Sequence, residues 1–273
     1  MKVLKYFFII SIGWAALFMF ASTAWVAEPI IVSSVIYPPL VFEKETPGFG
    51  EGMLRDIVTE AFRVEGADVE YSLLPMSRNV WSIASKVGDC CLGAMEWFER
   101  SGLADEVEPV DIIKLKFVAF YKVKNFPDGI DFERLEELQG YSFGNVRGSS
   151  SQRTLDAAGL ETDLVRNIRL NFMKLEVGRF DFAISFHVTG EYLIWDLFPD
   201  KEAEFSYLGK PIQEMTLSVI FQKRQRGMRE KFTKGLEKIA RDGTYYSILK
   251  RYHVGGYVPD EIIPDTLRGI AKH

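Results

Sequence analysis

Cysteine is almost missing from this chain of 273 residues: there are two, Cys90 and Cys91, and they are adjacent. Neighbours on a strand point to opposite faces, so a bridge between them is strained. The pair reads as small core hydrophobes rather than a disulfide, a redox couple or a metal site. Histidine is scarce too, at positions 187, 253 and 273 with no ligand spacing between them. Neither metal nor any other cofactor is expected. A basic excess is also lacking. The net charge is −5, no basic stripe is present, and nucleic acid is excluded as a partner.

What is present begins with an export pattern. Lys2 and Lys5 precede an apolar run from Tyr6 to Phe20, then Ala21-Ser22-Thr23-Ala24. This charged, apolar and small-residue order marks residues 1–24 as a signal peptide cleaved after Ala24; the alternative is an uncleaved anchor, since apolar residues continue to Ala27. Cleavage takes the net charge from −5 to −7. No Cys lies near the cleavage point, so a free periplasmic protein is expected rather than a lipid-anchored one.

The full sequence has 47% hydrophobic and 26% charged residues, enough for a sizeable core. Ile30–Ile36 reads as a first strand, stopped by Tyr37-Pro38-Pro39 because proline cannot donate to a ladder. A helix from Gly52 to near Gly66 carries Met53, Leu54, Ile57, Val58, Ala61 and Phe62 at helical spacing. A strand over Val69–Leu74 and a helix over Ser77–Val87, with Val80, Trp81, Ala84 and Val87 inward, lead to a buried strand starting at Cys90. Ligands bind past the carboxyl ends of such strands, so Tyr37, Trp97 and Arg100 are placed on one rim. The alternative for Arg100 is a surface pair with Glu96 or Glu99, and for the two aromatics ordinary core packing.

Further along, strands are expected over Leu115–Tyr121, Tyr141–Val146, Phe182–Phe186 and Met215–Phe221. Helices are expected over Asp131–Leu138, from the 147–151 loop to Ala158, and over Leu170–Val177, Gly227–Ala240 and Tyr245–Tyr252. Val87-Gly88-Asp89 and Val177-Gly178-Arg179-Phe180-Asp181 each deliver the chain to an apolar run, which indicates two lobes of like construction. The order βαβαβ implies parallel sheet with right-handed crossovers. Lobe 1 is drawn as 28–116 plus 217–253, lobe 2 as 117–216, and 254–273 as a C-terminal tail.

These residues together resemble the family-3 periplasmic solute-binding proteins that take up polar amino acids. The resemblance is carried by Tyr37-Pro38-Pro39-Leu40-Val41-Phe42, Gly88-Asp89, Glu99-Arg100, Leu138-Gln139-Gly140, Gly144-Asn145-Val146-Arg147-Gly148-Ser149-Ser150, Gly178-Arg179-Phe180-Asp181 and Asp242-Gly243-Thr244. It implies a two-lobe, hinged α/β fold of the type II periplasmic-binding-protein kind, with a ligand cleft between the lobes. It also implies that Arg100 holds a ligand carboxylate, whose geometry a guanidinium fork matches and lysine does not. Gly148, Ser149 and Ser150 then meet the same carboxylate from the second lobe; a plain N-cap is the alternative for the serines. Tyr37 and Trp97 fall at the aromatic walls. The acidic residue that takes the ammonium in the family is replaced by Phe186 or His187. His187 is either a ligand contact or a structural histidine, Glu191 is a substitute acid one turn on, and Arg78 is a second cation within reach of the cleft or a surface salt-bridge partner.

The implied function is capture of a small polar, carboxylate-bearing solute for an ABC permease in the inner membrane, by a monomer with no chemistry of its own. Two alternatives remain open: a cyclohexadienyl-dehydratase-like enzyme using Glu96, Glu99 or Glu191 as proton donor, and a detached ligand-sensing partner of a signalling receptor.

Overall fold

The computed structural model describes residues 28–85 and 87–272; the expected signal segment, 1–24, lies outside the described residues. In chain order the first half runs β1 (Ile30–Ser34), α1 (Met53–Arg63), β2 (Val69–Leu73), α2 (Met76–Ala84), β3 (Cys90–Gly93), α3 (Met95–Arg100) and the long β4 (Val107–Lys122). The second half repeats the plan with β5 (Ser142–Val146), α4 (Ser150–Ala157), β6 (Glu161–Val165), α5 (Ile168–Glu176), β7 (Phe182–Phe186) and α6 (His187–Leu197), then a short β8 (Phe205–Tyr207) and the long β9 (Gln213–Gln222). Helices α7 (Arg226–Arg241), α8 (Thr244–Tyr252) and α9 (Asp265–Arg268) close the chain.

The strand order is β2-β1-β3-β9-β4-β7-β5-β6, with β8 added to β4. Each end has the same arrangement: second strand, first strand, third strand, then a long antiparallel strand. Within each end β1, β2 and β3, or β5, β6 and β7, are parallel, as βαβ crossovers require. The lobes do not have separate sheets, because β4 and β9 pair with each other and join the ends into one path. The ladder shifts register between Asp111 and Ile113, where Ser218 Oγ donates to Asp111 Oδ1 at 2.8 Å.

The two Val-Gly…Asp segments explain the likeness of the ends. Asp89 Oδ2 accepts from the Ile31 N–H at 2.8 Å, and Asp181 Oδ2 accepts from the Ser142 N–H at 2.9 Å. In each lobe an Asp entering the third strand therefore satisfies the backbone where the first strand starts. Cys90 and Cys91 are free and buried, one in the main core and one in a smaller cluster with Val80, Ile83 and Phe98. Burial pushes the Cys91 thiol up to about 12, well away from the reactive range.

Several expectations are corrected. On α2 the inward residues are Asn79, Val80, Ser82 and Ile83, whereas Trp81 is 53% and Val87 56% exposed. Polar residues take the inner face because they have partners there: Asn79 Nδ2 donates to the Leu92 carbonyl at 2.9 Å and Ser82 Oγ bonds Ser33 Oγ at 2.5 Å. Residues Asp131–Leu138 form only one tight turn, Leu135–Leu138. Helix α6 was not expected, since it is buried nearly all round and has no amphipathic period to read. Strand β6 was missed because Glu161, Thr162 and Asp163 make it polar, as an edge strand allows.

The C-terminal segment is not a loose tail. Val258, Ile262, Ile263 and Leu267 are buried. Lys114 pairs with Asp265 at 2.8 Å and Lys116 with Glu261 at 2.7 Å, which straps the segment across β4.

Candidate functional site

Strand β3 ends at Gly93, and α3 begins two residues later. The close approach that Gly93 permits is made by the chain itself: a Cβ there would lie 3.0 Å from the Trp97 ring. Trp97 is thereby laid over the strand end, and its Nε1 donates to Ser150 Oγ at 3.2 Å. That bond joins α3 of the first half to the start of α4 in the second. Arg100, one turn further along α3, is 27% exposed and pairs with Glu96. Glu96 is also 3.4 Å from Arg153 of α4 and 3.4 Å from Gln213 Nε2 at the start of β9. Arg100 thus lines the cleft while it pairs with Glu96.

Opposite stands the loop from β5 into α4. Gly148 has φ of +76°, a conformation glycine adopts without strain, and its N–H donates to Gln152 Oε1 at 2.8 Å. Ser149 occupies the N-cap position of α4 without a side-chain cap bond; its hydroxyl donates instead to Asn145 Oδ1 at 3.0 Å. Simple capping therefore does not account for the serines. Tyr37 packs edge-on against Phe186, ring centres 5.7 Å apart, and burial pushes its phenol up to about 12. Phe186 stacks on Phe117 at 4.0 Å.

Between these walls lies a cavity of about 750 Å3, lined among others by Tyr37, Trp97 and Arg100 from one side and Gly148 and Ser149 from the other. A smaller pocket of about 70 Å3 continues inward past Ser150 to Phe186. Residues 30–255 match the family model described as bacterial extracellular solute-binding proteins, family 3. The chain belongs to that family. No curated protein matches it.

The fold of this solute-binding protein is similar to that of several solved structures. A histidine kinase sensor domain with similarity to periplasmic binding proteins is 18% identical, with 82% of this chain and 96% of that one covered and a TM-score of 0.65. The GluR0 ligand-binding core from Nostoc punctiforme, in complex with L-glutamate, is 14% identical over 82% and 99%, with a TM-score of 0.64. An ancestral arginine-binding protein bound to glutamine is 20% identical over 82% and 97%, with a TM-score of 0.63.

Not every residue singled out in the solute-binding protein reaches the cavity. Arg78 is exposed on α2, and neither it, His187 nor Glu191 is among the lining residues. Phe186 lines only the inner pocket, as a wall and not as a polar contact. In the other direction, Arg147, Arg166, Asn167, Arg169 and Tyr192 line the cavity and were missed. Arg147 and Arg166 directly follow β5 and β6, so the rule that ligands sit past strand ends finds them once β6 is recognised. Tyr192 was lost with α6.

His187 instead faces the ring of His253 at 6.0 Å, under the C-terminal strap. Burial, helped by the charges of His253 and Lys116, lowers its pKa to about 4. An unfolded histidine titrates near 6.5. Between about 6.5 and 4 the unfolded state therefore holds more protons, and stability falls as pH drops through that window. The full effect is about 3 kcal/mol at 1.36 kcal/mol per unit. The melting temperature of wild type is expected to drop between pH 7 and 4.5 more steeply than that of His187→Gln. Parallel profiles would reject the assignment.

Proposed function

We propose that this family-3 protein works in the periplasm, after cleavage behind Ala24, as a monomeric receptor for a small carboxylate-bearing solute that it delivers to an ABC permease of the inner membrane. The lobes are 28–116 with 217–253, and 117–216, and β4 and β9 form the hinge between them. Arg100 anchors the carboxylate from the first lobe, and the Gly148–Ser150 loop closes on it from the second, with Tyr37 and Trp97 as aromatic walls. The observation that carries this reading is the cavity walled by Arg100 on one side and by Gly148 and Ser149 on the other.

A binding role without chemistry is supported by what surrounds the solute. A dehydratase needs a carboxyl or imidazole at the leaving group. Glu96 is engaged by Arg100, Arg153 and Gln213, and Glu99 and Glu191 are not among the lining residues. The test is a thermal-shift screen of ligand-stripped protein against small carboxylates and amino acids. A solute present at 100-fold over its dissociation constant stabilises by about 2.7 kcal/mol. X-ray scattering with that solute should show compaction, since closure shifts an open–closed equilibrium. An unchanged radius of gyration at saturation counts against the hinge.

A further inference from the structure

The charge of the chain and the charge of its cavity have opposite signs. The whole sequence carries −5, yet among the described residues the groups of fixed charge lining the cavity are Arg100, Arg147, Arg166 and Arg169, with no Asp or Glu. The inner pocket also lacks an acid. Two of the arginines are already matched, Arg100 by Glu96 and Arg169 by Asp196 at 2.7 Å. Among the described residues Arg147 and Arg166 have no acidic partner within ion-pair distance.

The sheet register puts those two side by side. Strands β5 and β6 are parallel, with Val146 opposite Val165, and the Arg147 N–H still donates to the Val165 carbonyl at 2.9 Å. Arg147 and Arg166 are the next residues after each strand, and the backbones of adjacent strands stand about 4.8 Å apart. Two like charges carried on neighbouring backbones repel, and an anion between them offsets that repulsion. Two adjacent forks are suited to one carboxylate or phosphate group. The pair belongs to the second-lobe wall, whereas Arg100 belongs to the first.

We propose, building on the solute-binding reading above, that the solute is a small dianion without an ammonium group. One acidic group meets Arg100 and the second bridges Arg147 and Arg166. The body between them lies against the apolar wall of Tyr37, Trp97 and Tyr192. An ammonium finds no counter-charge in this cavity and meets four guanidinium groups instead, so a zwitterion is disfavoured relative to the same skeleton without its amino group.

The test uses glutarate and L-glutamate, which differ by that amino group, with butyrate as a monoanion and glutamine as a zwitterion of no net charge. Calorimetry on the full mature chain should show glutarate binding at least about tenfold more tightly than either L-glutamate or butyrate, a difference of 1.4 kcal/mol or more. The double variant Arg147→Gln/Arg166→Gln should lose about tenfold or more for glutarate while butyrate binding stays within about twofold. Its melting temperature without ligand should not fall, since neither side chain is buried. Replacing glutarate by a phosphorylated carboxylate tells which second acidic group is preferred. Tighter binding of L-glutamate or glutamine than of glutarate overturns the proposal and leaves the solute-binding reading standing. So does an unchanged glutarate affinity in the double variant. A panel in which none of these solutes binds overturns both.

Discussion

Arg100→Ala is expected to weaken binding of a carboxylate solute by roughly 30-fold or more. Truncating one partner of a buried, hydrogen-bonded charge pair costs about 2–5 kcal/mol, largely because the other charge is left unmatched, and each factor of ten is about 1.4 kcal/mol. The unliganded protein should hardly notice the change. There, among the described residues, Arg100 pairs only with Glu96, four residues earlier on the same short helix and, like it, partly exposed, and such pairs contribute about 0.3–0.5 kcal/mol. Arg100→Lys returns the charge without the fork, so it should recover only part of the loss. Calorimetry on the three proteins, with a melting curve for each, separates the effects. Wild-type affinity in Arg100→Ala means that Arg100 does no more than pair with Glu96.

Gly235→Ala should be damaging although it is a conservative change in a helix. In an exposed helix alanine is better than glycine by about 1 kcal/mol, so propensity alone predicts a gain. The packing says otherwise. Gly235 lies where α7 crosses α1, and an added Cβ would stand 1.9 Å from the Ala61 carbonyl oxygen and 2.8 Å from its carbon. Backbone in the last turn of a packed helix cannot swing away as a side chain can. The two helices must move apart, which loosens the contact of Phe62 with Phe232, ring centres 5.1 Å apart, and of Phe232 with Phe221. Overpacking a tight core usually costs about 1–3 kcal/mol. With backbone as the obstacle the upper end applies, and the melting temperature should fall by about 6–12 °C at 2–4 °C per kcal/mol. Gly227→Ala on the same helix is the control, because nothing lies within 4 Å of its added Cβ. Equal shifts in the two variants would disprove the steric argument.

The strands and helices with a clear period were legible. Met53 to Phe62 recur on one face and form α1, and Phe182–Phe186 is a fully buried apolar run and forms β7. Elements without a period were not. β6 is polar at an edge, and α6 is buried on almost every side. The first half of β4, with Glu108, Pro109 and Asp111, was also missed; there it pairs only with β9, and a strand with one neighbour tolerates proline. The polar inner face of α2 does not follow the hydrophobic period, because Asn79 finds its partner on β3, 13 residues on, and Ser82 on β1, 49 residues back.

The site divided in the same way. The family was legible from short motifs with defined structural tasks: Gly148 takes a positive φ, and Asp89 and Asp181 hold the starts of strands distant in the chain. The sequence by itself also determined that Cys90 and Cys91 would take opposite faces of one strand. Which charged groups share a cavity follows from the way the strands are ordered in space. Arg147 and Arg166 are 19 residues apart in the chain and adjacent in the sheet, whereas His187 directly follows Phe186 and yet turns to His253 under the C-terminal strap. Sequence spacing fixes which face of an element a side chain takes. What that face meets depends on strand order and helix crossings, and these are set by burial summed over the whole chain.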